Sequence, residues 1–234
     1  MRLLGRLFLW LLVLLIALPA LVVLTLRWVD PPLTAYMLQQ HWRIEASENH
    51  VGPSIYYRWV DLARISPNMP LAVVAAEDQT FPSHNGFVWE AIGEALAESE
   101  NGKPSRGASS ITQQVAKNLF LWPAQSFVRK GIEAYITVWI ELLWPKYRIM
   151  EMYLNIAQFD TQVFGVGAAA TRLFNTTPDQ ISAQQAALLA ANLPAPRSYS
   201  VTAPSGFVQQ RQAWILRQMR QLGTGHIGTV LEAP

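Results

Sequence analysis

At residues 71–78 the chain reads LAVVAAED, an apolar run that ends in two carboxylates. A run this apolar is typical of a buried element, and its length and the absence of alternation favour a helix. The helix delivers Glu77 near its C-terminal end, next to Asp78. A carboxylate between apolar residues and a second acid suits a general base. On this stretch alone, an ordinary structural ion pair remains the favoured interpretation.

The rest of the chain predicts a mainly α fold. Ser126 and Ser205 are expected to begin helices as N-caps, and Ser182 with Gln185 forms a capping-box pattern. Strand signals are weak throughout. Apolar periodicity and stop signals place further helices at about residues 87–100, 111–121, 127–144, 147–157, 182–193 and 205–222.

The N-terminus predicts one transmembrane helix. Residues 7–26 carry no charge, and this length can cross a hydrocarbon core of ~30 Å. Arg2 and Arg6 precede the run and Trp28 follows it, which favours a cytoplasmic N-terminus. A cleaved signal peptide is the alternative, but the run exceeds the usual signal core of ~7–15 residues. We therefore expect a single-pass anchor in the cytoplasmic (inner) membrane, with the remaining chain on the extracytoplasmic side.

These signals divide the chain into four segments. They are a cytoplasmic tip at 1–6, an anchor at 7–28, a linker and membrane-proximal segment at 29–69, and the main domain at 70–234. The net charge of +2 does not indicate a nucleic-acid partner. The absence of cysteine excludes disulfides and thiol catalysis. Nine tryptophans are consistent with contact to membrane lipid.

A polar surface is predicted on the helix that begins near Ser110. Its face is formed by Ser110, Gln114, Lys117 and Asn118, whose spacing is i, i+4, i+7 and i+8. Gln113 lies four residues before Lys117. The Gly- and Ser-rich stretch before Ser110 is expected to be a mobile loop that leads into a helix N-terminus, where anions bind favourably. A phosphate-binding surface and an ordinary polar helix face fit this pattern about equally well.

A third cluster joins two cations to one acid. Arg129 and Lys130 lie four and three residues before Glu133. In an exposed helix such pairs contribute only ~0.3–0.5 kcal/mol. Apolar neighbours such as Phe127 and Ile132 favour a partly buried setting instead. There Arg129 could bind a phosphate, and Glu133 could orient the cations or hold a metal.

These three clusters, with Phe81, His84 and Gly86 after the first, resemble the peptidoglycan glycosyltransferase family, glycosyltransferase family 51. The resemblance runs from about residue 70 to 223 and includes motifs at 149–155 and 211–219. It implies a lysozyme-like helical fold and polymerisation of lipid II into β-1,4-linked glycan for the cell wall. Because the chain ends soon afterwards and has no Ser-x-x-Lys, it resembles the stand-alone, monofunctional members.

The resemblance also implies roles for individual residues. Glu77 matches the general base that activates the acceptor hydroxyl, and Glu133 matches the second acid near the donor diphosphate. Lys117 and Arg129 match cations around that diphosphate. Substrate-binding positions also match at Ser110, Gln113, Gln114, Asn118 and Lys130, and supporting positions match at Asp78, Phe81, His84 and Gly86. From the residues alone, His84 is expected to be a hydrogen-bonded structural residue, because no second histidine has metal-ligand spacing.

Partners and cofactors follow from the same resemblance. Lipid II, the growing glycan strand and membrane lipid are the expected partners, together with other cell-wall synthesis proteins. Phe120, Leu121 and Trp122 are expected to be exposed apolar residues that keep the site at the lipid surface. A Mg²⁺ or Mn²⁺ ion is the cofactor considered, and no organic cofactor is expected. Gln125 stands where many members carry an arginine, which predicts weaker donor binding. Ala108 and Ser110 also depart from the usual Gly-Gly-Ser-Thr, without threatening activity.

Two alternatives remain open at this point. A lysozyme-like enzyme that cuts finished glycan would also use a single catalytic Glu, although it gives the cationic residues no role. A membrane-tethered scaffold without activity is the other alternative. It is the weakest, because both carboxylates and Lys117 are present.

Overall fold

The computed structural model describes residues 2–47, 52–100, 109–122 and 126–233, and within these ranges the fold is mainly helical, as predicted. Two short strands, β1 (Tyr56–Tyr57) and β2 (Val163–Phe164), pair in parallel. The helices are α1 (Arg2–Leu26), α2 (Ala35–Glu45), α3 (Asn68–Glu77), α4 (Trp89–Glu100), α5 (Ile111–Phe120), α6 (Phe127–Leu143), α7 (Lys146–Ile156), α8 (Gly165–Phe174), α9 (Ala183–Asn192), α10 (Gly206–Leu222) and α11 (Gly228–Leu231).

The predicted helix starts are confirmed by their caps. Ser126 accepts a hydrogen bond from the Arg129 amide, and Ser205 accepts one from the Val208 amide. Ser182 forms the complete capping box with Gln185. Local side-chain chemistry therefore sets where α6, α9 and α10 begin.

Three helices lie where none was predicted, namely α2, α8 and the four-residue α11. α2 falls inside the segment expected to be a linker; Thr34 caps it, and it buries Met37 against the body. It mixes six apolar with five polar residues and buries only Met37 and Gln40, so the apolar residues do not mark a clear buried face. Half of α8 is glycine or alanine, and the helix packs on α7. These small side chains permit close packing and leave few large apolar residues to mark a helix.

The core is built around α3. Residues 69–75 are all buried, so this helix is enclosed on every side. It packs against α9 and α10 and also touches α7. A helix that is apolar all round has this central position in a helical domain. Glu77 is its last residue, which confirms that the helix delivers this carboxylate at its C-terminal end.

Asp78 joins the end of α3 to the start of α5. Its buried carboxylate accepts a hydrogen bond from the Ile111 amide at 3.1 Å and contacts Nε2 of His84 at 2.9 Å. Nδ1 of His84 accepts the Gly86 amide at 2.9 Å, so the ring proton is on Nε2 and is donated to Asp78. Phe81 is fully buried beside this junction. The structural role expected for His84 is confirmed.

Gly86 occupies a position that excludes a side chain. Its φ is +84°, and an added Cβ would lie 2.7 Å from a methyl carbon of Thr137. The Gly86 carbonyl accepts a hydrogen bond from Oγ of Ser110 at 2.6 Å. Ser110 and Gln113 then complete a capping box at the first turn of α5. Asp78 and Gly86 therefore hold the N-terminal end of α5 in place.

α1 lies along α6. The Tyr135 hydroxyl donates to the Ile16 carbonyl at 3.1 Å, and the Trp144 indole N–H donates to the Val23 carbonyl at 2.7 Å. Several side chains of the predicted anchor 7–28 lie outside the described residues. Among the side chains that are described, no helix reaches both the length and the hydropathy of a membrane span. The N-terminal anchor stays a prediction.

Arg148 fixes the C-terminal end of α1 to α7. Its buried guanidinium donates to the carbonyls of Leu26 at 2.9 Å and Val29 at 3.1 Å. It also pairs with Asp30 at 2.8 Å and with Glu151 at 2.5 Å. The last carbonyls of a helix have no partner within it, and Arg148 supplies donors to them.

Replacing Arg148 tests how much this contact stabilises the fold. We expect Arg148→Met to lower the free energy of unfolding by about 3 kcal/mol, because Glu151 is left buried without its charge partner. Urea denaturation of the full chain in detergent measures the change. Arg64→Met is the matched control, since Arg64 is exposed. Equal denaturation midpoints for the two variants would contradict the stabilising role.

Candidate active site

A cleft of about 340 Å³ opens beside α5, α6 and α7. Gln114, Lys117 and Asn118 of α5 line one wall, and Arg129 of α6 and Tyr153 of α7 line others. Three of the four residues of the predicted polar face therefore line the cleft, and Ser110 does not. The structure brings these residues together from three helices.

Glu77 contacts this cleft through Gln114. The Gln114 side-chain amide donates to Oε2 of Glu77 at 3.1 Å. Nη2 of Arg211, on α10, lies 3.3 Å from Oε1. Only 15% of the Glu77 side chain is exposed, so the carboxylate is held from two directions in a partly dry setting. Sequence reasoning gave Arg211 no role, because nothing local links it to Glu77.

Gln114 is itself held by Tyr153. The Tyr153 hydroxyl donates to Oε1 of Gln114 at 3.2 Å. Burial raises the pKa of Tyr153 well above its usual value, and the nearby charges of Glu77 and Asp78 raise it further. The phenol therefore keeps its proton and acts as a donor.

Lys117 lies between the two acids of the site. Its side chain is open to solvent, but the cleft walls remove much of its hydration, and this desolvation lowers the pKa of Lys117. Glu133 and Glu77 act in the opposite direction, whereas Arg129 and Lys130 lower it further. No ion pair joins its ammonium group within the described part of the chain. Lys117 is thus a cation available to an anionic ligand.

Glu133 is buried and paired with two cations. Oε2 lies 2.9 Å from Nη1 of Arg129, and Oε1 lies 2.5 Å from Nζ of Lys130. The partly buried setting predicted from the apolar neighbours is confirmed. Nε of Arg129 is buried and has no hydrogen-bond partner among the described residues. That N–H is a donor left over for a ligand in the cleft.

The donor set around Glu133 does not fit a metal site. Both carboxylate oxygens are already engaged by cations. Across the described ranges, no group of three His, Cys, Asp or Glu side chains could hold an ion. Among the residues that line the cleft, Lys117 and Arg129 carry positive charge.

Other predicted residues lie away from the cleft. Ser110 and Gln113 are buried, and their side chains are used by the capping box. Lys130 is partly exposed and also contacts Ser109 at 3.1 Å. Substrate binding by these residues stays a prediction. The supporting residues Asp78, Phe81, His84 and Gly86 form the junction between α3 and α5.

One expectation about exposed apolar residues is wrong. Leu121 was expected to face lipid with Phe120 and Trp122, but it is 4% exposed and packs in the core. Its amide closes the last turn of α5 on the Lys117 carbonyl, which turns its side chain inward. Phe120 is partly buried and Trp122 is exposed. The loop preceding residue 109 and the departures at Ala108 and Gln125 lie outside the described residues.

The sequence is similar to known proteins over nearly its whole length. The profile of the family described as Transglycosylase matches residues 48–220. A relative from Xanthomonas campestris pv. campestris (strain B100) is 48% identical over 202 residues, which cover 86% of this chain and 81% of the relative. A relative from Xylella fastidiosa (strain M23) is 48% identical over 202 residues, covering 86% and 82%.

A relative from Shewanella oneidensis is 44% identical over 238 residues, covering 100% of both chains. All three relatives are named biosynthetic peptidoglycan transglycosylase. The family profile matches more than half of the chain. Lys117 and Arg129, which belong to the second and third clusters that carried the resemblance, line one cleft. The chain belongs to the transglycosylase family.

Proposed function

We propose that this protein is a peptidoglycan glycosyltransferase that polymerises lipid II into β-1,4-linked glycan strands and releases undecaprenyl diphosphate. The observation that carries the proposal is the position of Glu77 and Lys117. Lys117 lines the cleft, and the Glu77 carboxylate is held by the Gln114 amide, which lines the same cleft. Relatives that carry the name peptidoglycan transglycosylase support the same activity.

Glu77 acts as the general base. A carboxylate oxygen takes the proton of the acceptor sugar hydroxyl as that oxygen attacks the anomeric carbon of the donor. The new carbon–oxygen bond forms on the face opposite the diphosphate. The bond to the diphosphate breaks, its electron pair leaves with the diphosphate, and the configuration inverts.

Lys117 and Arg129 stabilise the leaving group. Negative charge develops on the diphosphate as its bond to the sugar breaks, and fixed donors in a partly dry cleft stabilise such charge strongly. Lys117 supplies an ammonium group and Arg129 supplies guanidinium donors, since both residues line the cleft. Glu133 holds the Arg129 guanidinium in place through the 2.9 Å ion pair.

The substrate lipid places the reaction at a membrane surface. We propose that α1 contains the single-pass anchor, with the N-terminus in the cytoplasm and the cleft on the extracytoplasmic side. Exposed aromatic side chains close to the cleft, Trp122 and Phe127, support contact with lipid. The growing strand would occupy the same cleft, and other cell-wall synthesis proteins stay predicted partners.

A metal requirement stays a separate proposal. Mg²⁺ or Mn²⁺ would have to be brought by the donor diphosphate, because Glu133 is already paired. Comparing polymerisation with and without a chelator decides whether an ion takes part.

Replacing Glu77 tests the base directly. We expect Glu77→Gln to lower kcat about 100-fold or more, since a positioned general base typically contributes ~10²–10⁴-fold. Glutamine keeps the size and one acceptor oxygen, so the fold should persist. Polymerisation of purified lipid II by the full chain measures the rate.

Glu232→Gln is the matched control, because this exposed acid lies near the C-terminus. Equal rates for Glu77→Gln and wild type would refute the assigned base. Release of soluble fragments from isolated sacculi, without polymer from lipid II, would favour a glycan-cutting enzyme instead.

Replacing Lys117 tests the cationic wall. We expect Lys117→Met to lower kcat/KM for lipid II about 10- to 100-fold, since a charge-assisted hydrogen bond contributes ~1.5–3 kcal/mol. Steady-state polymerisation kinetics measure this loss. Arg220→Met, an exposed change on α10, should keep the wild-type value. An unchanged kcat/KM in Lys117→Met would remove this residue from the diphosphate site.

A further inference from the structure

We propose that Tyr153 is a positioning residue for this reaction, because its hydroxyl locks the Gln114 amide in the orientation that holds the Glu77 carboxylate. The proposal rests on the function proposed above. It adds a residue of α7 to the machinery. Tyr153 lines the cleft but is only 1% exposed, so it presents almost no surface to a ligand. Tyr153 therefore acts through Gln114.

Gln114 bridges the phenol and the carboxylate. Its Nε2 lies 3.1 Å from Oε2 of Glu77, and its Oε1 lies 3.2 Å from the Tyr153 hydroxyl. These are the hydrogen-bond partners of the Gln114 side chain within the described residues. The NH₂ group of the amide thus donates to Glu77, and its oxygen accepts from Tyr153 on α7.

The two ends of this amide are not equivalent. An ionised carboxylate only accepts hydrogen bonds, so Gln114 must turn its NH₂ group toward Glu77. The amide oxygen then faces α7 and needs a donor. The Tyr153 phenol stays protonated in its buried position and supplies that donor. The reversed amide would place its oxygen against the carboxylate, which is repulsive.

Tyr153 is itself rigidly held, which makes it a suitable reference point. It lies on α7, whose residues 148–156 are all buried. Gln114 is only partly buried, and without the phenol its amide can rotate and bind water instead. Glu77 would then keep only the longer 3.3 Å contact with Arg211. A base that samples several orientations points at the acceptor hydroxyl for a smaller fraction of the time.

The consequence should fall on the chemical step. Tyr153→Phe removes one oxygen atom and keeps the buried ring, so substrate binding in the cleft is little changed. We expect kcat to fall about tenfold, equivalent to about 1.4 kcal/mol in the barrier, with KM for lipid II within twofold of wild type. A merely structural role would lower the melting temperature and leave kcat per folded molecule unchanged.

A double-mutant cycle isolates the route through Gln114. Lipid II polymerisation is measured with the full chain for wild type, Tyr153→Phe, Gln114→Leu and the double variant. Because Tyr153 acts only through the amide, the double variant should be no slower than Gln114→Leu alone. Tyr57→Phe is the matched control, since its hydroxyl donates to the Pro31 carbonyl at 3.0 Å, and it should keep wild-type kcat.

Three results would overturn the proposal: an unchanged kcat in Tyr153→Phe, losses that multiply in the double variant, or a loss confined to KM. If Tyr153→Phe does not fold, Gln114→Leu alone decides, and wild-type kcat in that variant overturns the proposal. Failure of the proposed function is a different outcome, because there wild type itself makes no polymer from lipid II.

Discussion

The Asp78 carboxylate accepts the first amide of α5 and the ring proton of His84 at the point where α3 ends. This buried contact sets the position of α5 relative to α3. Glu77 is the residue before Asp78, whereas Gln114 and Lys117 lie one and two turns into α5. The separation between Glu77 and Lys117 therefore depends on the Asp78 carboxylate. Gly86 lets the chain between α3 and α5 pass close to Thr137 of α6, since no side chain fits there.

Each acid near the cleft has a cationic partner, but the positive charges are not all paired with acids among the described residues. Glu133 is neutralised by Arg129 and Lys130, and Glu77 is approached by Arg211 at longer range. Lys117 is left over, with a pKa lowered mainly by loss of hydration. In the proposed reaction, an entering diphosphate would replace the hydration that the walls removed, and this is why an anionic group suits the cleft.

Much of the fold could be predicted from the sequence because its signals are local. Caps such as Ser126 and Ser182 and the apolar run that ends at Glu77 need only neighbouring residues. α2 and α8 could not be predicted, since α2 mixes apolar with polar residues and half of α8 is glycine or alanine. The site was predictable only in part: helical spacing places Lys117 and Gln114 on one wall. That spacing cannot show that Gln113 caps its own helix, or that Arg211 lies 3.3 Å from Glu77 across 134 residues of chain.

The guanidinium of Arg148 constrains how the first helix can vary between relatives. It contacts the carbonyl of Leu26, the last residue of α1, and that of Val29 just beyond the helix. One residue inserted in the last turn would rotate the Leu26 carbonyl by about 100° away from the donor. Additions or deletions are therefore tolerated only toward the N-terminus of α1, ahead of the contacts with α6. The contact with Arg148 therefore fixes the rotation of α1 about its own axis relative to α7, whereas the length of α1 at its N-terminal end can vary.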